Sequence, residues 1–477
     1  MKPTVIDSVP VHKKIIIPLH GKMSSRVFHQ PLFKNKLVNA GFDPLYFLSS
    51  HYFRSFEFDK DHYFELKVDA YQRYLSEHPF LQQLKLLRRF VVLTETTDLR
   101  FRELIEDKLF TSKIPSLIGY ITYIDLLRRI PSLGKLITSL ENRFYVPSIH
   151  TEQINRIGAD CALIPGLGYY NFWNEGYFAL EAKKIGLRVF SAITNYDAIV
   201  NKGYPAFVPD CLAVWSHQMA NEVMKFFGIP SSKIEITGPL QYDRFLYPLP
   251  MSHDDFIMSI GLNPKLKTIF FAGGVNITRY FEIYDLLVER ANSVWKGEFN
   301  LVIRPYPHAK LLNSPGWKAL EKLFNQNGVY ISNPGSIDAD DRSGEYKQDL
   351  WLDEGIDELT YLLRYSDVMV NYFSTISLEA AICDLPVIHL GYDTYTFGHR
   401  YGITSEFQQR QTHNLRKLRL AASKVAKNEQ DLIGHLEKYL SDKTLDRNSR
   451  FDYAFSECGE LDGNAGSRLI DMVVSRL

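Results

Sequence analysis

Hydrophobic and polar positions follow a repeating order in the first fifty residues of the chain. An apolar run at 14–19 precedes a polar loop, and the stretch 27–40 carries apolar residues at helical spacing until Gly41. A second apolar run follows at 44–48. Strand, loop, helix and strand in this order make a βαβ unit with a parallel sheet. The pattern therefore predicts an α/β fold.

The same alternation returns twice further along the chain. Predicted strands lie at 161–164, 188–193, 212–215, 234–239, 268–272, 301–304, 368–371 and 386–390. A connecting segment near 240–260, rich in Pro and Asp, separates the two series and is predicted to be a hinge, and the chain after about 413 is predicted to be helical. We therefore expect two doubly wound halves with a cleft between them.

Residues 60–145 differ from the rest of the first half. They carry Leu, Phe and Ile at helical spacing with many Lys and Arg, as in 80–90, which predicts a helical insertion. Amphipathic helices mostly bury their apolar stripe in protein. Contact of these basic helices with a membrane or with a lipid-linked acceptor is the alternative.

Composition excludes several classes of protein. The chain is 45% hydrophobic and 23% charged, as in ordinary globular proteins. Lys plus Arg and Asp plus Glu both number 55, so no global basic field favours nucleic acid. The four cysteines lie far apart and form no CxxC pair, which argues against a disulfide framework and a cysteine zinc site.

The N-terminal segment has no apolar core of a signal peptide, and the longest apolar runs are shorter than the ~20 residues of a membrane span. The sequence therefore predicts a cytoplasmic protein, which leaves room for peripheral contact with the inner face of a membrane.

A phosphate site is predicted after the strand at 368–371. A polar turn there leads into a helix that begins near Ser377. Helix N-termini present unpaired N–H groups and a partial positive charge. The hydroxyls of Ser374, Thr375 and Ser377 add hydrogen-bond donors, and Glu379 could accept from a ribose diol. Ordinary helix capping by Ser and Thr is the alternative explanation.

The segment 366–381, of the form SD-x-x-V-N-Y-x-S-T-x-S-x-E-A-A, resembles the donor-site element of GT-B glycosyltransferases. It is most similar to the branch with surface-polysaccharide glycosyltransferases, CDP-glycerol glycerophosphotransferases and UDP-N-acetylglucosamine 2-epimerases. The run 236–243 is similar to the "TG-x-x-x-x-D" passage of that branch. The run 301–308 is similar to its strand ending in Arg-Pro-His-Pro, with Tyr306 at the usual His and His308 two residues later.

The resemblance implies a GT-B fold with two Rossmann-like domains that face a cleft. We place the acceptor-side domain at 1–245, with the helical insertion at about 60–145, and the nucleotide-donor domain at 246–477, which includes a helical tail. The resemblance also implies a donor-binding role for His308.

Two further features could bind the donor. Arg304 ends a predicted strand, where open α/β sheets place ligand groups, and a guanidinium can bind phosphate bidentately. Gly273 and Gly274 follow another strand and allow close approach of backbone to ligand. A structural arginine and an ordinary tight turn are the alternatives.

The first domain should supply the catalytic base. The loop 166–176 combines glycines, aromatic rings and the carboxylate of Glu175, and 193–203 resembles a "T-x-W-D-N…K-G" passage of surface-carbohydrate enzymes. A general base must lie within hydrogen-bond reach of the acceptor hydroxyl. The candidates are Asp197, Glu175 and, third, His20; each has a structural alternative. In a retaining mechanism a carboxylate would instead act as the nucleophile.

No metal and no separate cofactor are expected. The chain has no HExxH, and its DxD match at 338–341 lies in a polar loop. A helix terminus and a cationic side chain would neutralise the leaving phosphate instead.

The predicted function is transfer of a sugar from a UDP-, GDP- or CMP-linked donor to a surface glycan or lipid-linked acceptor. A polymerase that uses CDP-polyol, a UDP-N-acetylglucosamine 2-epimerase and a non-catalytic nucleotide-sugar-binding protein remain alternatives.

Overall fold

The computed structural model describes residues 12–20, 22–49, 61–111, 125–130, 132–169, 173–273, 281–305, 328–332, 353–393 and 405–477. The chain forms two compact units. The first comprises Met1–Gln241, Cys458–Glu460 and Asn464–Leu477, and the second comprises Tyr242–Glu457 and Leu461–Gly463.

The first unit contains a seven-stranded parallel sheet in the order β3-β2-β1-β4-β5-β6-β7. The strands are β1 (Lys13–Leu19), β2 (Phe42–Ser49), β3 (Tyr63–Leu66), β4 (Cys161–Pro165), β5 (Arg188–Ala192), β6 (Cys211–Val214) and β7 (Ile234–Ile236). The helices are α1 (Lys22–Phe28), α2 (Pro31–Asn39), α3 (Val68–Ser76), α4 (Pro79–Phe90), α5 (Glu95–Thr111), α6 (Leu133–Phe144), α7 (Thr151–Ile157), α8 (Trp173–Lys184), α9 (Ala198–Asn201) and α10 (His217–Phe227). Ile15, Ile16 and Ile17 of β1 are all buried, as expected for a parallel sheet covered on both faces.

The second unit contains a six-stranded parallel sheet in the order β10-β9-β8-β11-β12-β13. The strands are β8 (Lys267–Ala272), β9 (Phe299–Arg304), β10 (Val329–Ile331), β11 (Val368–Asn371), β12 (Val387–Leu390) and β13 (Lys424–Ala426). The helices are α11 (His253–Ser259), α12 (Phe281–Asn292), α13 (Asp353–Tyr365), α14 (Ile376–Ile382), α15 (Ser405–Arg410), α16 (Thr412–Arg419), α17 (Glu429–Ser441) and α18 (Arg447–Cys458). This is the Rossmann strand order, which reverses direction between β8 and β11.

The predicted α/β architecture with two Rossmann-like sheets is confirmed. Three local predictions were wrong. The helix predicted at 27–40 is two helices, because Pro31 starts α2 and has no N–H to continue α1. The insertion includes the short strand β3, and the tail predicted to be helical includes β13. Strands of three or four residues are too short to show a period of two.

The basic helix at 80–90 packs inside the first unit. It is helix α4, and its Lys85 and Arg88 side chains are buried. Its basic residues therefore do not form an exposed face.

The last helix, α19 (Ala465–Arg476), belongs to the first unit. Its apolar side is buried through Leu469 and Val473, and it packs near α2 and β6. Nε of Arg468 donates a hydrogen bond to the carbonyl oxygen of Thr237, 2.8 Å away. The second unit therefore does not include this helix.

Candidate functional site

The carboxyl edge of the first sheet collects the candidate bases. In the sheet register Pro165 at the end of β4 pairs with Ala192 at the end of β5, and β4 also pairs with β1. His20 directly follows β1, and the loop 193–197 follows β5. The strand order reverses between β1 and β4, and ligands of open α/β sheets bind at such a switch point.

The carboxylate of Glu175 joins α8 to the segment that follows β1. Glu175 lies in the first turn of α8 and is completely buried. Its Oε1 accepts hydrogen bonds from the backbone N–H of His20 at 3.2 Å and from the hydroxyl of Ser24 at 3.3 Å. The structure thus brings two predicted base candidates together. Ser24 was not predicted, because nothing in the polar loop after β1 distinguished it.

The imidazole of His20 is in its neutral form near pH 7. Burial lowers the pKa of His20 to about 4, so the ring is neutral near pH 7. Its Nδ1 is buried and has no hydrogen-bond partner among the residues that the structure describes.

Asp197, the third candidate, is buried just before α9. Its Oδ2 accepts a hydrogen bond from Nδ2 of Asn201 at 2.6 Å. Burial raises the pKa of the Tyr169 phenol, and the negative charge of the nearby Asp197 raises it further. One oxygen of the Asp197 carboxylate is therefore used in a hydrogen bond within its own segment.

A small, partly enclosed cavity of about 60 Å³ lies at this edge. Its walls come from α1, from β4 and β5 through their ends and following loops, and from α8 and α9. The lining residues are Ser24, Pro165, Gly166, Tyr169, Glu175, Thr194, Asn195, Ala198 and Lys202. The phenol oxygen of Tyr169 is buried there without a hydrogen-bond partner in the described part of the chain. The cavity thus presents polar groups that a ligand could pair.

Two larger hollows of about 460 Å³ each lie elsewhere on the first unit, beside Arg188. Arg188 is the first residue of β5, so these hollows are at the amino edge of the sheet. They are also open to solvent. We assign the site to the carboxyl edge because α/β sheets bind ligands there.

The carboxyl edge of the second sheet collects the predicted donor residues. Ala272 at the end of β8 pairs with Arg304 on one side and with Asn371 on the other. The backbone N–H of Gly273 donates to the carbonyl oxygen of Arg304 at 2.8 Å. Three segments predicted separately therefore lie side by side at the second switch point.

The guanidinium of Arg304 is held by a carboxylate. Its Nη1 donates to Oε2 of Glu358 at 2.7 Å and to the hydroxyl of Ser332. The phenol of Tyr330 donates to the other carboxylate oxygen of Glu358 at 2.6 Å. A phosphate bound by Arg304 would share the guanidinium with Glu358. The sequence does not indicate this pairing, because Glu358 is one of several charged residues on the amphipathic helix α13.

The turn before α14 contains hydroxyls in two environments. Ser377 is buried, donates to the carbonyl oxygen of Ser374 at 2.6 Å and accepts from Nζ of Lys417 at 2.9 Å. Thr375 is exposed and Ser374 is half-buried, whereas Glu379 lies in the first turn of α14. The Ser377 hydroxyl is therefore used by the protein itself, and Ser374 and Thr375 are the accessible hydroxyls.

Two buried basic side chains behind this turn were not predicted. Burial lowers the pKa of Lys417 to about 7, and its ammonium lies 5.3 Å from the ring centre of Phe373. His389 of β12 stacks on the same ring at 4.3 Å and bonds Oδ1 of Asn371 through Nδ1 at 2.7 Å. The single His in the apolar run 386–390 could have indicated His389 as a buried polar residue. No sequence feature distinguishes Lys417 from a surface lysine.

Gly274, His308 and the DxD match at 338–341 lie outside the described residues. In the part of the chain that is described, no group of three or more His, Cys, Asp or Glu side chains could hold a metal ion. No helix within the same residues is long and apolar enough to span a bilayer.

Comparison with known proteins gives the fold. No protein-family model matches the chain, and no curated protein sequence matches it significantly. Solved structures do match. A UDP-GlcNAc 2-epimerase from Neisseria meningitidis bound to UDP-GlcNAc is 12% identical, with 97% of this chain and 100% of that chain covered and a TM-score of 0.51.

Two further structures are similar over the whole length. A putative UDP-N-acetylglucosamine 2-epimerase from Listeria monocytogenes is 13% identical, with 97% and 96% of the two chains covered and a TM-score of 0.51. A Methanocaldococcus jannaschii UDP-GlcNAc 2-epimerase in complex with UDP-GlcNAc and UDP is 13% identical, with 97% and 99% covered and a TM-score of 0.50. At this identity the likeness shows the fold alone, and the predicted GT-B fold is confirmed.

Proposed function

We propose that the protein is a glycosyltransferase that moves a sugar from a nucleotide-activated donor to a hydroxyl of a surface glycan or lipid-linked acceptor. The observation that carries this proposal is the cavity lined by Glu175 and Tyr169, in which the buried phenol oxygen of Tyr169 has no hydrogen-bond partner within the described part of the chain. Burying a polar atom without a partner is costly, so such atoms at a cavity indicate a ligand that pairs them. A transferase needs this kind of second site for its acceptor.

The proposed reaction begins at the acceptor hydroxyl. The neutral imidazole of His20 takes the hydroxyl proton as the oxygen bonds to the anomeric carbon of the donor sugar. Glu175 positions His20 by accepting a hydrogen bond from its backbone N–H. The bond from the anomeric carbon to the phosphate oxygen breaks, and the nucleotide leaves with the electron pair. Asp197 is the alternative base, and a retaining route would use a carboxylate as nucleophile.

The donor would bind at the second switch point. The predicted groups within the described residues are Gly273, Arg304, Ser374, Thr375, Ser377 and Glu379. Backbone N–H groups and hydroxyls of the turn would bind the phosphates, and Arg304 together with the buried charge of Lys417 would offset the negative charge of the leaving nucleotide. Donor charge would thus be neutralised without a metal ion.

One alternative is supported by a specific observation. The epimerase structures from Neisseria meningitidis and Methanocaldococcus jannaschii match almost the whole chain, and both contain UDP-GlcNAc. An epimerase of this fold acts on its nucleotide sugar without an acceptor, so the two activities differ in what the reaction requires.

Two measurements test the proposal. Thermal-shift assays with UDP, CDP, GDP and CMP should find one nucleotide that stabilises the protein by ~2.7 kcal/mol at a hundredfold excess over its dissociation constant. Mass spectrometry should then show release of that nucleotide from its sugar conjugate only when a glycan acceptor is present.

Other outcomes contradict the proposal. Conversion of UDP-GlcNAc alone would establish the epimerase, and phosphate retained in the product would establish a polyol-phosphate transferase. Binding of the nucleotide sugar with no turnover under any acceptor would indicate a non-catalytic binding protein.

A further inference from the structure

The helical insertion reaches the wall of the cavity through one arginine. Arg88 of α4 is 3% exposed, and its Nη1 donates hydrogen bonds to two carbonyl oxygens, Gly168 at 3.2 Å and Tyr204 at 3.1 Å. Gly168 belongs to the loop after β4 that lines the cavity, and Tyr204 follows α9. A single guanidinium therefore joins the insertion to two loops of the sheet edge.

Backbone hydrogen bonds tie the same three segments together. The N–H of Tyr204 donates to the carbonyl oxygen of Arg88 at 2.9 Å, and the N–H of Ala206 donates to that of Leu167 at 2.9 Å. The hydroxyl of Thr138 on α6 donates to the carbonyl oxygen of Pro205 at 2.8 Å. The segment 203–206 is thus held between the insertion and the cavity loop.

Close packing leaves these segments little room to move independently. A Cβ added to Gly203 would lie 2.6 Å from Cα of Arg89, and one added to Gly168 would lie 2.6 Å from Cα of Gly176. Gly176 directly follows Glu175 in α8. A shift of the Gly168 backbone is therefore transmitted to the residue next to the candidate catalytic carboxylate.

The charge of Arg88 is balanced within the insertion. Glu141 of α6, 1% exposed, lies with Oε2 at 3.4 Å from Nε of Arg88. Lys85 is buried beside them, and burial together with the charge of Arg88 lowers its pKa to about 7. A buried ion pair gives little net stability compared with apolar side chains of the same size. The buried guanidinium of Arg88 is therefore better explained by its hydrogen bonds to the carbonyl oxygens of Gly168 and Tyr204 than by the stability that its ion pair with Glu141 adds.

We infer that Arg88 is a positioning residue, through which the insertion fixes the loop 166–169 that lines the cavity and the adjacent Glu175. This inference rests on the proposed function, because it assigns the cavity to the acceptor. The insertion is then part of the acceptor site although none of its side chains that the structure describes lines the cavity.

The test compares Arg88→Met with Arg128→Met. Arg128 is also a buried arginine of the insertion, 4% exposed, and its partners are Asp98, Asp125 and the ring of Phe101, all within the insertion. Both variants lose one buried cation, so both should lower the melting temperature. Only Arg88→Met should lower kcat/KM for the acceptor, by at least tenfold, while the dissociation constant of the donor nucleotide stays within twofold.

Hydrogen–deuterium exchange gives a readout that does not depend on activity. Arg88→Met should speed exchange in peptides that cover 166–169 and 203–206, and Arg128→Met should leave both at the wild-type rate. If Arg88→Met does not fold, Arg88→Lys keeps the charge for Glu141 but cannot bridge both carbonyls, and it should show the same local increase.

The two proposals fail in different ways. Unchanged exchange at 166–169 in the Arg88 variants, or equal kinetic losses in the Arg88 and Arg128 variants, overturns the inference. A wild-type protein that releases no nucleotide to any acceptor overturns the proposed function, while the exchange result still decides whether Arg88 holds the loop.

Discussion

The backbone N–H of His20 donates a hydrogen bond to Oε1 of Glu175 at 3.2 Å, although 155 positions separate the two residues in the chain. One residue follows β1 and the other begins α8 after β4, so the bond crosses the switch point of the first sheet. It holds the backbone of His20, whose imidazole is neutral near pH 7, against the buried carboxylate that lines the cavity.

The first prediction concerns these two residues. His20→Gln and Glu175→Gln should each lower kcat by at least about 100-fold, the range expected for loss of general acid–base catalysis. Both changes nearly keep the side-chain volume, so circular dichroism should remain that of the wild type. Asp197→Asn, which keeps an acceptor for Asn201, is the matched control and should cost less than tenfold. The base assignment is wrong if Asp197→Asn alone abolishes turnover.

The second prediction concerns the unpaired phenol of Tyr169. Tyr169→Phe removes a buried hydroxyl that has no partner among the described residues, so the melting temperature should stay the same or rise. Acceptor binding should weaken about three- to tenfold, because one ligand hydrogen bond is lost. Tyr71→Phe is the control, since that phenol donates to Glu181 at 2.8 Å; it should lower the melting temperature and leave acceptor binding unchanged.

The sequence predicted the sheets and the edge where ligands should bind. Apolar strands that end in polar loops are visible as local patterns, and these patterns indicate His20, Glu175 and Arg304 as candidates. Contacts between distant segments leave no such pattern.

The partners of these residues could not be predicted for that reason. Glu358 pairs with Arg304 only because α13 packs against β9 and β10, and Lys417 is buried only because α16 covers the turn at Ser377. On their own helices both residues look like ordinary charged positions. The role of Arg88 likewise depends on two loops that follow it by about a hundred residues in sequence.

The third prediction distinguishes the two roles of Arg304. If the guanidinium binds donor phosphate, Arg304→Met should weaken nucleotide binding tenfold or more, the scale of a charged hydrogen bond. Glu358→Gln removes the competing negative charge and should leave the affinity equal or higher. Isothermal titration calorimetry measures both. A structural arginine would give lower melting temperatures in both variants with no change in affinity.

The fourth prediction follows from the low pKa of His20. Unfolded His20 binds a proton below pH 6.5, whereas the folded residue binds one only below about 4. The unfolded state therefore carries more protons between these values, and stability falls as the pH drops from 6.5 toward 4. His29, with a pKa lowered to about 3 mainly by burial, acts in the same direction.

Urea denaturation at pH 7 and pH 5 tests this. His20→Gln should reduce the loss of unfolding free energy between the two pH values by roughly 1–2 kcal/mol. An equal loss in variant and wild type would show that the pKa of His20 is not lowered in the folded protein.

The fifth prediction concerns contact with a membrane. Helix α6 exposes Leu136 and Phe144 next to Lys135 and Arg143, an arrangement suited to an anionic lipid surface. We expect the protein to sediment with phosphatidylglycerol vesicles more than with phosphatidylcholine vesicles. Phe144→Ser should reduce this binding. The control is Phe451→Ser on α18, because Phe451 is 63% exposed and Phe144 is 64% exposed. This control should leave vesicle binding unchanged. Equal binding to both kinds of vesicle, or equal losses in both variants, would contradict the prediction.

The return of α19 to the first unit has a consequence for synthesis of the chain. Leu469 and Val473 complete a hydrophobic core whose other parts leave the ribosome more than two hundred residues earlier. The N-terminal unit must therefore wait, with part of its apolar surface uncovered, until the final helix emerges. A stop codon in the last fourteen residues would damage the half of the protein that was translated first.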